Sequence, residues 1–326
     1  MKDYKKLSHE KFIRLSNEEI ANIIKTERRP KVAMLIPDGN RRYAMSFLNI
    51  MPKSKDFETE YMRQNSENFM RNIKMMFDHG LETLFVPCLK HENLYRDKNY
   101  VEGITQYALK LIFSDEKWID FYNENNIKVK IYGDLDYISN KGFDDLIQIV
   151  KDLEKITSNN NKHKLFYGLA CSNKYEYPRL MDLAIDFYKN NNRYPTYKEK
   201  IEMYYGENVN EVDLFIRPTA IRDSDIQPPL ISGNKTQMYF LVAPDNLSFN
   251  RDVFRNILYD FLFCRNSIFG SKTYQNEMIA KSDLEEIKDF YLLNKSKVIG
   301  LGEKIGPFWI PQINIQIPKR DNKNPK

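Results

Sequence analysis

Two hydrophobic rhythms alternate along this chain. Compact apolar runs occur at VAMLI (32–36), LETLFVPCL (81–89), IKVKIYGD (127–134), HKLFYGLA (163–170), VDLFI (212–216) and QMYFLV (237–242). Runs of that length and composition predict six strands, most of them buried on both faces. The stretches between them follow a helical period. Residues 59–79 carry Met62, Phe69, Ile73, Met76 and Phe77 on one face and stop at Gly80. Residues 101–125, KGFDDLIQIVKDLEKI, 175–191, 196–205 and 250–264 read the same way. Near the start, Ser16-Asn17-Glu18-Glu19 forms a capping box ahead of Ile20, Ile23 and Ile24, so a short helix ends before Pro30. Strands separated by helices predict an α/β fold, with a central parallel sheet of about six strands flanked by helices. Past Gly270 the pattern weakens to one helix (282–293), a Pro- and Ile-bearing segment and the polar tail PKRDNKNPK. The expected organisation is an N-terminal helical segment (1–29), a main domain (30–270) and a C-terminal extension (271–326) with a disordered basic tail.

Composition narrows the function. Hydrophobic residues make up 42% and charged residues 29% of the 326, as in a globular domain. No apolar run is long enough to span a bilayer, and MKDYKKLSHEKF lacks a signal-peptide core, so a cytoplasmic location is expected. Cys88, Cys171 and Cys264 form no CxxC pair, and His9, His79, His91 and His163 have no metal-ligand spacing. Neither a disulfide framework nor a zinc site is indicated. A net charge of +5 suits an anionic ligand, although a lysine-rich solvated surface explains the charge equally well. The tail lacks an aromatic-interleaved basic face, so no nucleic-acid partner is expected.

The unusual polar groups gather where the expected strands end. The first strand runs into Asp38-Gly39-Asn40-Arg41-Arg42, and the second into Lys90-His91-Glu92-Asn93 with Arg96 beyond. The third meets Gly133-Asp134, the fourth Ser172-Asn173-Lys174, and the fifth Arg217 with Arg222 close behind. Open α/β sheets bind ligands outside these carboxyl ends. Gly39 permits a tight turn into a helix whose first N–H groups face an anion. Arg41, Arg42, Arg96, Arg217 and Arg222 supply planar charged forks for phosphate oxygens. A single carboxylate among them, Asp38, suits a Mg²⁺ ligand or a group acting on a nearby proton. Each element has a plainer reading: a turn with a surface ion pair for DGNRR, a hydrogen-bonded structural role for His91, and pairing of Arg217 with Asp213 or Glu211. Their joint placement at strand ends favours a diphosphate site.

VAMLIPDGNRRYA, GLETLFVPCLKHENLYR, IKVKIYGDLDYI and VDLFIRP together resemble the motifs of the cis-prenyltransferase superfamily, that of undecaprenyl diphosphate synthase, in order over roughly residues 30–265. RQNSENFMRNIKMMFDHGLET, IEMYYGENVNEVDLFI, PPLISGNKTQMYFLVAP and RNILYDFLF are similar to its divergent branch of tuberculosinyl adenosine transferases. That likeness implies an enzyme that ionises an allylic polyprenyl or terpenyl diphosphate and passes the carbocation to water or another nucleophile. Departures from the elongating pattern agree. Ser172-Asn173-Lys174 replaces Gly-Gly-Arg, Pro218-Thr219-Ala220-Ile221 replaces a Ser/Thr-Gly-Glu type segment, and Gln237 stands in the slot of a metal-holding Glu. The resemblance further implies a homodimer and Mg²⁺. It also implies Asp38 as catalytic group and metal ligand, and Asn93 and His91 as residues that position the acceptor. Gly39, Asn40, Arg41, Arg42, Arg63, Arg96, Arg217 and Arg222 become the diphosphate contacts. The alternatives are a synthase that still condenses isopentenyl diphosphate, and an inactive partner subunit of a cis-prenyltransferase.

Overall fold

A computed structural model describes residues 7–27, 29–50, 60–96, 98–220, 226–233, 235–264, 281–306 and 308–317. The chain divides into two compact units, 1–265 and 266–326. Unit one is built on six parallel strands: β1 (Val32–Leu35), β2 (Thr83–Lys90), β3 (Ile127–Gly133), β4 (His163–Cys171), β5 (Leu214–Arg217) and β6 (Gln237–Phe240). Their order across the sheet is β3-β4-β2-β1-β5-β6.

Strand side chains alternate between two cores, as the period of two requires. Ala33, Leu35, Leu84, Val86, Leu214 and Ile216 enter one core, which the Met62–Asp78 helix fills with Phe69, Ile73, Met76 and Phe77. Val32, Met34, Phe85, Phe166 and Phe215 enter the other, against Ile201, Tyr204 and Tyr205 of the Tyr197–Tyr205 helix. Burial of each such side chain is worth roughly 1.5–3 kcal/mol. Packing therefore fixes the strands and leaves their ends free for chemistry.

Residues 7–27 are part of this unit. Phe12, Ile20, Ile23 and Ile24 are buried in the first core. Arg255 fastens them by donating to the Ile13 carbonyl (2.7 Å) and to Asn17 Oδ1 (2.8 Å). After β2 a 3₁₀ turn (His91–Tyr95) leads into helix Lys98–Glu102, a wider π turn at Gly103–Ala108 and helix Leu109–Ser114. Unit two holds the helix Lys281–Asn294 and an antiparallel hairpin of β7 (Gly302–Ile305) and β8 (Phe308–Pro311). The hairpin was not expected, because GEKI has neither apolar alternation nor β-branched density. Arg222 and the PKRDNKNPK tail from residue 318 onward lie outside the described residues.

Candidate active site

The chain leaves β1 toward β2 on one side of the sheet, and leaves β5 toward β6 on the other. The switch point therefore lies between β1 and β5, the place beyond the strand ends where open α/β sheets take their ligands. Asp38 and Arg217 meet there. Arg217 Nη2 donates to Asp38 Oδ2 at 3.1 Å, with the arginine side chain 4% exposed and the aspartate 28%. Asp213, the alternative partner, is taken instead by Arg29 Nε (2.6 Å) and by the N–H groups of Lys31 (2.7 Å) and Val32 (3.2 Å). Asp213 thus ties the start of the sheet together, and Arg217 is left for the other end.

The turn after Asp38 is held from three strands. Asp38 Oδ1 accepts the Gly39 N–H (2.6 Å), and the Asp38 carbonyl accepts the Asp245 N–H (3.1 Å). Gly39 has φ +82°, where a side chain is strained, and a Cβ there would run into Thr219 Cγ2 and lie 3.0 Å from Pro244 Cα. Thr219 itself has φ +71°. Gly39 caps the helix Asn40–Phe47, whose first bond within this turn runs from the Tyr43 N–H to the Gly39 carbonyl. The N–H groups of Asn40, Arg41 and Arg42 precede that bond, so they form the anion-facing end of the helix.

Two of the expected arginines converge from separate strand ends. Arg41 lies over the Tyr100 ring at 5.1 Å and Arg96 over the same ring at 4.7 Å. Asn93 donates to the Tyr100 hydroxyl at 2.8 Å. Tyr100 is therefore the post that brings the β1 and β2 motifs together. Buried Tyr61 completes the wall: burial pushes its hydroxyl up to about 12, with Arg41, Tyr100 and Asp38 all within electrostatic reach. Behind the turn sits Asp245, 1% exposed, which accepts from Asn68 (2.8 Å) and Asn72 (3.4 Å). Burial raises its carboxyl to about 7, and the Asp38 charge adds to the rise, against the pull of Arg71 and Asn68. Tyr61, Tyr100 and Asp245 had no signal in the sequence beyond lying near the motifs.

Three expected residues have other surroundings. Arg63 is on an exposed helix face, paired to Glu60 (2.8 Å) and Glu67 (3.0 Å), so its charge is already met away from the turn. Gln237 is opposite Leu214 at the start of β6, whereas Arg217 is opposite Phe240 at its end. Its amide therefore says nothing about a metal at Asp38. His91 belongs to a separate cluster: it is buried and stacked between Tyr137 (3.8 Å) and Tyr175 (3.6 Å), and burial lowers its pKa. It is a neutral ring in an aromatic sandwich rather than a group facing Asp38. In the same half of the sheet Ser172 donates to Glu92 (2.9 Å), so the segment in place of Gly-Gly-Arg closes on its own neighbour. Arg42 is half-buried at the helix start, one residue past Arg41.

This arrangement can hold an anion of several oxygens against a helix end and two arginines, with one carboxylate at its edge. Residues 36–226, which contain Asp38, Gly39, Arg41, Arg96 and Arg217, match the family model described as "Putative undecaprenyl diphosphate synthase". The chain belongs to the cis-prenyltransferase family. Among its relatives is the tuberculosinyl adenosine transferase of Mycobacterium tuberculosis (strain CDC 1551 / Oshkosh). That protein is 30% identical over 298 residues, which cover 91% of this chain and 95% of the relative. A second is the (+)-kolavelool synthase of Herpetosiphon aurantiacus, 24% identical over 86% of this chain and 89% of that one. Among solved structures, lavandulyl diphosphate synthase from Lavandula x intermedia superposes with a TM-score of 0.59 at 16% identity, over 75% of this chain and all of that one. That likeness confirms the cis-prenyltransferase fold. The two sequence relatives span nearly the full chain, and neither is named for lengthening a prenyl chain.

Proposed function

We propose that this protein ionises an allylic prenyl or terpenyl diphosphate at the Asp38–Arg217 pair and delivers the carbocation to water or another nucleophile, without chain elongation. The observation that carries the reading is the Gly39 turn, wedged against Thr219 and Pro244, which starts a helix directly after Asp38, with Arg41 in its first turn and over the Tyr100 ring. The allylic C–O bond breaks and its electron pair leaves on the diphosphate oxygen. Negative charge grows there, so fixed N–H groups of Asn40, Arg41 and Arg42, with the Arg41 and Arg96 guanidinium groups, favour the transition state over the ground state. The acceptor's lone pair then closes on the cation, and Asp38 takes the proton that the acceptor sheds.

Asp38, as the exposed edge carboxylate, together with diphosphate oxygens is the hard-oxygen set that Mg²⁺ accepts, and Mg²⁺ would neutralise diphosphate charge when bound. The Gly39 and Arg217 bonds leave acceptor capacity on both Asp38 oxygens. Family likeness also supports a homodimer. Among the described residues no helix is long and apolar enough to cross a membrane.

Incubation with geranyl, farnesyl and geranylgeranyl diphosphates, with and without Mg²⁺, tests the reading by mass spectrometry of products. Release of inorganic diphosphate with a terpenyl alcohol or adduct is expected. Growth of the chain when labelled isopentenyl diphosphate is added would replace it with the condensing alternative, and inertness toward all three would favour a partner subunit.

A further inference from the structure

The C-terminal unit carries an apolar surface that the active site does not use. On the helix Lys281–Asn294, Leu284, Ile287, Tyr291 and Leu292 are 45–65% exposed. They share one shallow concave face with Lys288 and, just past the helix end, Lys295. At roughly 100° per residue these six fall within an arc of about 140°. Glu286 and Asp289 fall on the opposite side of the helix, and Glu285 borders the arc beside Leu292. Within its unit the helix is held on a flank, where Asn294 bonds both ways with the Gln316 backbone (2.7 and 2.9 Å). The bonded segment carries Ile313, Ile315 and Ile317, which are also exposed.

The charge placement selects the occupant. Lysines lie among the apolar side chains, with Glu286 and Asp289 behind them, the pattern of a helix resting on an anionic interface. A second copy joined through this face about a two-fold axis would bring the same lysines together. We propose that the Leu284–Lys295 face docks on an anionic lipid bilayer surface, with its apolar side chains at the acyl boundary and Lys288 and Lys295 on headgroup phosphates. This surface is separate from the active-site reading and does not rest on it.

The test is co-sedimentation of the full chain with phosphatidylcholine vesicles, with and without phosphatidylglycerol. Binding is expected only with phosphatidylglycerol. It should weaken on the order of thirtyfold in Lys288→Glu/Lys295→Glu, and comparably in Ile287→Ser/Tyr291→Ser. All four positions are exposed, and unchanged circular dichroism spectra and thermal unfolding of the variants would show that the fold is kept. A chain lacking residues 318–326 should bind as the full chain does. Three outcomes overturn the proposal: no binding, equal binding by the variants, or binding that disappears with the basic tail alone. Self-association of the full chain that these substitutions abolish, without vesicle binding, would assign the face to a second copy.

Discussion

The two halves of the sheet end in different ways. Beyond β1, β5 and β6 the strand ends meet in strained backbone and charge: Gly39 at φ +82°, Thr219 at φ +71°, and Asp38 against Arg217. Beyond β2 and β4 they meet in stacked rings, with His91 held between Tyr137 and Tyr175. The first half leaves a carboxylate and a helix end facing outward, whereas the second is filled with its own side chains. Tyr100, shared by Asn93, Arg41 and Arg96, marks the border between them. A family template alone would assign chemistry to both motifs equally. The proposed chemistry centres on the first, with Arg96 as the second motif's contribution.

Substitutions can break that comparison. Asp38→Asn should cost on the order of 1,000-fold in turnover while circular dichroism shows the fold retained, since the edge carboxylate is removed at nearly constant shape. Wild-type rates would take Asp38 out of the mechanism. Gly39→Ala should follow at roughly 100-fold in kcat/KM with a loss of about 1–3 kcal/mol in urea unfolding, because the added Cβ must displace Thr219 or Pro244. Arg41→Ala should lower kcat by roughly tenfold or more with a smaller change in KM, the signature of charge met mainly in the transition state. An effect confined to KM would make Arg41 a ground-state contact only.

Asp245 sharpens the comparison through pH. Its carboxyl is raised from 3.8 to about 7 in the folded chain. The unfolded chain loses this proton first, so folding stability falls as pH rises through that window and levels off above about 7. Asp245→Asn removes the cost of the buried charge while its amide oxygen can still accept from Asn68. The variant should gain of the order of 2 kcal/mol at about pH 8, with the gain gone by about pH 4, as read by denaturant unfolding at the two values. A gain that did not depend on pH would deny the buried charge. The smallest effect belongs to His91→Phe, which keeps a ring between the tyrosines: activity within about threefold is expected. A loss near 100-fold would move the acceptor site into the aromatic half.

The sheet was legible because its strands are buried on both faces and announce themselves as apolar runs; Leu84, Phe85 and Val86 have nowhere polar to point. Asp38, Gly39 and Arg41 were legible because an acid, a glycine and paired arginines at a strand end have few passive uses. Tyr61 and Asp245 were not, since their roles come from contacts across long loops: Asp245 meets Asn68 from 177 positions away. The pairing of Arg63 was missed for the converse reason. Its two carboxylates are one helical turn away on either side, a local pairing that the motif likeness obscured.

The wider turn at Gly103–Ala108 sets the angular phase of Tyr100. One residue deleted there would return the run to regular winding and rotate everything before it by about 100°. Tyr100 would swing off Asn93, and the two arginines would lose the ring they share. The alignment of two distant motifs is thus stored as a single surplus residue, placed in the helix just beyond the ring that joins them.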